Sequence, residues 1–245
     1  LATLMQTIAT LKELTPSFVS MTYGAGGSTR AKTVQLVSRI KNDIGIEAVA
    51  HLTCVGHRRE ELEEILAELK GAGIENVLAL RGDPPKGQER FVAVDGGFAN
   101  ANELVAFIKG KFDFSLGVAG STENPPEAPS LDEDIGRLAA KVAAGADYIV
   151  TQLFFDNADY FRFVERARAR GVRVPIIPGL MPVTDTDQVK RFTSLCGARL
   201  PAALLARLEA AGADKAEVGR IGVDHATAQG EELLRRGAPG IHFYT

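Results

Sequence analysis

The chain has 245 residues, 45% hydrophobic and 24% charged, with 28 basic against 31 acidic side chains and a net charge of -3. That is the balance of a soluble globular fold. It contains no basic tract of the kind that grips nucleic acid and no apolar run of about 18 residues able to span a membrane.

A helical pattern opens the chain over Leu1–Leu14. Strands are then predicted at Ser17–Tyr23, Glu47–Cys54, Asn76–Leu80, Phe114–Ala119, Tyr148–Phe155, Val174–Leu180 and Gly240–Tyr244. One pattern introduces several of them: a helix ends at a glycine, a few residues follow, and a β-branched apolar run begins. LKGAGIENVLAL and VAAGADYIVTQLFF are examples. The glycine supplies a left-handed helix cap, and the short apolar run suits a strand buried on both faces. The clearest amphipathic helix is Arg58–Lys70, which places Leu62, Ile65, Leu66 and Leu69 on one face. Met181–Arg236 holds two or three helices between two strands.

Strands alternating with helices mean βαβ units. The expected fold class is α/β: a (β/α)8 TIM-type barrel, a single catalytic domain over residues 1–245, with the first strand and last helix missing from this stretch of chain. A seven-stranded open doubly wound sheet is the alternative. In a barrel the carboxyl ends of the strands form the functional rim. The long loops Pro84–Ala99 and Gly120–Ser130 both leave such ends.

Candidate residues follow from that placement. Thr22–Thr29 (TYGAGGST) is glycine-rich, yet it matches neither GxGxxG nor a P-loop. It is either a ligand-approach loop or a plain βα loop with Ser28 or Thr29 capping the next helix. His51, inside a strand, reads as an interior histidine or as a site residue, and His242 reads the same way. Gln152 is an amide in an apolar strand. It must find hydrogen-bond partners, on a neighbouring strand or on a polar heterocycle. Arg81 and Asp83 end the strand in LALRGDPP. They pair around the rim, or Asp83 stands in a pocket. Cys54 and Cys196 lack ligand spacing and read as free thiols in a reducing cytoplasm. The four histidines form no metal pattern.

The ordered set VSMTYGAGGS, AHLTC, LALRGDPP, ANELV, AGADYIVTQLFFD, IIPGLMPV and HFYT resembles the methylenetetrahydrofolate reductases over nearly the whole chain. The resemblance implies a barrel holding FAD. Hydride would pass from NADH or NADPH to flavin N5 and then to 5,10-methylenetetrahydrofolate, by ping-pong kinetics. Bacterial members are usually homo-oligomers, so the resemblance implies a homo-oligomer here, and no nucleic acid or membrane partner is expected. Position by position, the resemblance places Thr22, Tyr23, Ala25, His51, Leu80, Arg81, Gly82, Asp83, Ala101, Asp134, Arg137 and Lys141 against FAD. It gives Asp83 a catalytic part beside the pterin, Gln152 and Gln188 hydrogen bonds to the pterin, and Phe192 a stacking face for folate or nicotinamide nucleotide.

Three departures accompany it. Ser121 and Pro125, in GSTENPPE, stand where the family has a tyrosine and a histidine that touch FAD, which removes a stacking surface and a hydrogen-bond donor. Asn100 replaces a common aromatic. The glutamate that serves the family as general acid, and a folate-binding arginine after HFYT, have no counterpart in residues 1–245. A weakly catalytic or non-catalytic folate- or nucleotide-binding relative is therefore a rival reading. A barrel enzyme handling pterins without flavin is another.

Overall fold

The computed structural model of the chain describes residues 2–22, 30–84, 87 and 90–245. Its fold class is α/β, with parallel strands alternating with helices as in TIM-type barrels. Seven strands occur among the described residues, the number expected. The chain divides into two compact units, Leu1–Val118 with Ala144–Asp147, and Ala119–Ala143 with Tyr148–Thr245. Within each, strand order follows chain order.

The first unit runs α1 (Ala2–Leu11), a 3-10 turn at Lys12–Leu14, β1 (Val19–Met21), α2 (Arg30–Arg39), β2 (Ala48–Thr53), α3 (Arg59–Gly71), β3 (Asn76–Leu80), α4 (Ala101–Lys111) and the start of β4 (Ser115–Gly120). Its strands pair in parallel, Val19 beside Ala48, Val49 beside Asn76, and Asn76 beside Ser115. β2 is buried along almost its whole length, as a strand covered on both faces must be. In α3 the 3.6-residue period delivers Leu62, Ile65, Leu66 and Leu69 to one stripe, and all four are fully buried. Each contributes about 1.5–3 kcal/mol by leaving water. Leu104, Val105 and Ile108 of α4 are buried in the same way.

The second unit runs α5 (Leu131–Ala143), β5 (Tyr148–Leu153), α6 (Asn157–Ala169), β6 (Ile176–Leu180), α7 (Thr186–Cys196), α8 (Ala202–Ala211), α9 (Lys215–Arg235) and β7 (His242–Phe243). Ile149 pairs with Ile176 and Gly179 with His242. The three helices between β6 and β7 fill the predicted insertion. They pack on their own apolar cluster, in which Val189, Leu204, Leu208, Val218 and Ile221 meet Leu153, Phe155 and Val183. A buried polar staple joins α6 to α9. Asn157 Nδ2 donates to Gln229 O at 3.1 Å and to Glu232 Oε2 at 2.8 Å. Tyr160 donates its hydroxyl to Ile176 O at 2.8 Å, tying α6 to the β6 strand.

Candidate functional site

In the first unit, the parallel register sets His51 beside Leu78 and Thr53 beside Leu80. Side chains alternate along a strand, so His51, Thr53, Leu78 and Leu80 share one face. His51 and Leu80 are half-buried. Thr53 Oγ1 is buried with no hydrogen-bond partner among the described residues. The sequence reading missed Thr53; its place two residues after His51 was the signal.

Beyond β3 the chain turns sharply. Gly82 sits at φ +88°, and a Cβ there would meet Val55 Cγ1 at 2.9 Å and Thr53 Cβ at 3.1 Å. Only glycine adopts that backbone cheaply and allows so close a seat. Arg81 Nε donates to Gly82 O at 3.2 Å, and its guanidinium lies 5.4 Å from the Phe91 ring centroid. Asp83, next along, is exposed at the end of this turn. Thr22 is exposed just past β1. Tyr23 and Ala25 lie outside the described residues.

A second anchor holds the turn from beneath. Cys54 N donates to Leu80 O at 3.1 Å, and its thiol reaches Leu80 O at 3.5 Å and Asn100 O at 3.6 Å. Burial, with the Glu103 carboxylate adding to it, pushes the thiol up to about 12, so it stays protonated and donating. Asn100 caps α4. Its side chain accepts from Glu103 N at 3.1 Å while Glu103 accepts from Ala99 N at 3.0 Å. Asn followed by Glu three residues on is a capping-box signature; read as a lost aromatic, it went unnoticed. Ala101, buried, opens that helix.

In the second unit, Asp134, Arg137 and Lys141 lie on α5 at spacings that keep them on one face. Burial raises the Asp134 carboxyl above its usual range, and Lys141, Arg137 and a hydrogen bond from Ser121 pull it back. Lys141 Nζ donates to Ala119 O at 2.9 Å, at the end of β4. The Ser121 hydroxyl thus serves Asp134. Pro125 and Pro126 pack against Gly197, just past α7.

Another residue of that loop is clamped. Arg199 donates from Nε to Glu123 Oε1 at 2.8 Å and from its amide to Oε2 at 3.2 Å. Its guanidinium also reaches Asp159 Oδ1 at 3.3 Å, and Arg162 pairs with the same carboxylate. These groups border a cleft of about 360 Å³. The carboxylates of Glu123 and Asp159 are buried and offset Arg162 and Arg199, while Arg166, also on the cleft, pairs with Asp132 at 3.5 Å.

Gln152 departs from expectation. It is exposed, between fully buried Thr151 and nearly buried Leu153. A register shift lies at this point of the strand: Val150 pairs with Ile177, but Leu153 pairs with Gly179. Three steps on β5 oppose two on β6, which is a β-bulge, a device that re-aims a side chain. The amide is turned into solvent and bears no burial cost. Gln188 is exposed in the first turn of α7, its N–H held by Asp185 Oδ1 at 2.8 Å. Phe192, one turn further along the same face, is half-buried against the α7–α9 cluster. The Arg191 guanidinium lies 5.5 Å from its ring centroid.

No group of three or more His, Cys, Asp or Glu able to hold a metal occurs among the described residues. No described helix is long and apolar enough to cross a membrane. Within the second unit, the α5 groups are of the kind a flavin dinucleotide needs: the Asp134 carboxylate can accept from ribose hydroxyls, and Arg137 and Lys141 are cations of the type that hold a pyrophosphate.

Comparison with known proteins gives concordant results. A family model described as methylenetetrahydrofolate reductase matches residues 1–245. Methylenetetrahydrofolate reductase (NADH) 1 of Arabidopsis thaliana is 40% identical over 241 residues, covering 94% of this chain and 41% of that protein. The 5,10-methylenetetrahydrofolate reductase of Escherichia coli (strain K12) is 37% identical over 243 residues, covering 99% of this chain and 80% of that one. The chain thus spans about two fifths of its plant relatives and most of the bacterial one. Among solved structures, a Clostridium thermocellum protein described as binding two copies of 5-methyl-5,6,7,8-tetrahydrofolic acid aligns with TM-score 0.50 at 16% identity, covering 98% of this chain and 91% of that one. At that identity the likeness concerns the fold alone.

Proposed function

This chain belongs to the methylenetetrahydrofolate reductase family, and from that premise we propose that it reduces 5,10-methylenetetrahydrofolate to 5-methyltetrahydrofolate, with NADH or NADPH as hydride source and FAD as carrier. Residues 1–245 act as one catalytic domain in this reading. The observation that carries it is Gln152, an amide exposed beside a register shift in an otherwise buried strand, where the polar edge of a pterin could be read.

FAD, when bound, supplies hydride transfer at its N5. The rest falls to the chain. Asp134, Arg137 and Lys141 hold the ribose and pyrophosphate. Thr22, Tyr23, Ala25 and Ala101 would border the cofactor, and His51, Leu80, Arg81 and Gly82 would hold its ring. Asp83 would offer its carboxylate to the ring and to the pterin. Negative charge there lowers the flavin potential, and the same oxygens accept hydrogen bonds from the substrate. Gln152 and Gln188 orient the pterin. Phe192 offers one stacking surface to folate and nicotinamide in turn, which suits an exchange of substrates at one site.

One measurement tests the reading. The full-length protein is purified and its visible spectrum recorded before and after anaerobic NADH. A flavin band bleached by NADH and restored by methylenetetrahydrofolate is expected. No flavin band, even after FAD is added, refutes the proposal. In the same assay Asp83→Asn slows the folate half-reaction more than the NADH half-reaction; equal effects would remove Asp83 from the folate step. A bound but unreactive flavin supports the second reading, a non-catalytic relative, which Ser121 and Pro125 favour because neither replaces the family's stacking ring and donor.

A further inference from the structure

A bulge locally disrupts the ladder, and buried backbone groups beside it must be satisfied. Here two of them bond to side-chain hydroxyls. The Gly179 amide donates to Thr151 Oγ1 at 2.9 Å. The Thr151 carbonyl accepts from the Tyr244 hydroxyl at 2.9 Å. Thr151 is fully buried, so solvent cannot substitute for either bond. Gly179 gives the arrangement its room. A Cβ there would collide with the Thr151 carbonyl and lie 2.6 Å from Tyr244 Cε2. Tyr244 is fixed in turn: its N–H donates to Leu180 O at 2.8 Å, and its ring meets His242 edge-on at 5.0 Å.

We infer that Thr151, Gly179 and Tyr244 are positioning residues, which brace the β5 bulge and thereby aim the Gln152 amide at a pterin-class substrate. In this reading the three act through Gln152. They fix where a specificity group stands, and the inference rests on the reading of Gln152 as a folate contact. In a strand with regular alternation Gln152 would share the face of Val150, which is buried, and the register shift lies between the two.

Tyr244→Phe keeps the ring and removes one hydroxyl. In the full-length, flavin-loaded protein it is expected to raise KM for methylenetetrahydrofolate about 5- to 10-fold, leaving KM for NADH and the NADH half-reaction within about twofold. Hydrogen exchange in a peptide covering β5 is expected to quicken in the absence of any ligand. Thr151→Val should give the same pattern, and Thr151→Ser, which keeps the oxygen, should restore wild-type values. An unchanged folate KM, an equal rise for both substrates, or unchanged exchange in β5 overturns the inference. A wild type that fails to reduce the folate overturns the parent reading and this inference with it, whereas an active wild type with an indifferent Tyr244→Phe overturns this inference alone.

Discussion

Gly82→Ala is the sharpest single perturbation of the Arg81–Asp83 turn. At φ +88° an L-residue loses about 1–2 kcal/mol to the clash between Cβ and its own backbone. The added methyl then meets neighbours. Its contacts at 2.9 Å to Val55 Cγ1 and 3.1 Å to Thr53 Cβ fall well inside the comfortable carbon separation of about 3.5–4.0 Å. Forcing a methyl into such a seat costs about 1–3 kcal/mol. Together the two effects amount to about 2–5 kcal/mol, which for a chain of this size lowers Tm by on the order of 10 °C. Thermal unfolding followed by circular dichroism reads that shift. Adding Val55→Ala removes the closest contact but not the backbone strain, so the double variant should recover part of the loss relative to additivity. Folate turnover should fall with Gly82→Ala, because Asp83 is the next residue out. A Tm within about 1 °C of wild type would mean that the turn relaxes freely and that Gly82 does not fix the position of Asp83.

Two further outcomes are expected. Burial holds the imidazoles of His225 and His242 below their usual 6.5; the unfolded chain therefore takes up protons first as pH falls. Stability is full above about pH 6.5 and is lost through the window beneath it. Urea midpoints measured across that window should drop, and less so in His225→Asn; a flat profile would contradict the buried neutral form, whose Nε2 lies 3.0 Å from Phe155 O. Arg199→Ala leaves the buried carboxylate of Glu123 without its partner at 2.8 Å. Because Arg199 is largely exposed, the loss should be only about 1 kcal/mol and should shrink at high salt. A double-mutant cycle with Glu123→Gln that shows no coupling would assign that loss to some other contact.

What the sequence made legible was periodic or local. The α3 stripe of Leu62, Ile65, Leu66 and Leu69 follows from a 3.6-residue period, and all four are buried as expected. Strand Asn76–Leu80 is found with its predicted ends, since the glycine before it and the Arg-Gly-Asp-Pro run after it are punctuation any reader can see. What escaped depends on partners far along the chain. The bulge at Gln152 exists only relative to β6, so no inspection of IVTQLFF could find it. The Glu123–Arg199 pair spans 76 positions. The partners of Ser121 and Asn100 were equally out of sight: one hydrogen-bonds Asp134 and the other caps α4.

The two cysteines give the protein built-in reporters. Cys54 belongs to the first unit, and Cys196 to the second. The Cys54 thiol, almost wholly enclosed and held protonated up to about 12, reacts with an alkylating reagent only from an opened state. Its labelling rate at neutral pH therefore counts openings of β2 and its surroundings. Cys196, half-buried at the end of α7, is modified faster. Mass spectrometry of a timed alkylation, with no engineered probe, thus times the opening around Cys54 against a half-exposed thiol that reacts without one.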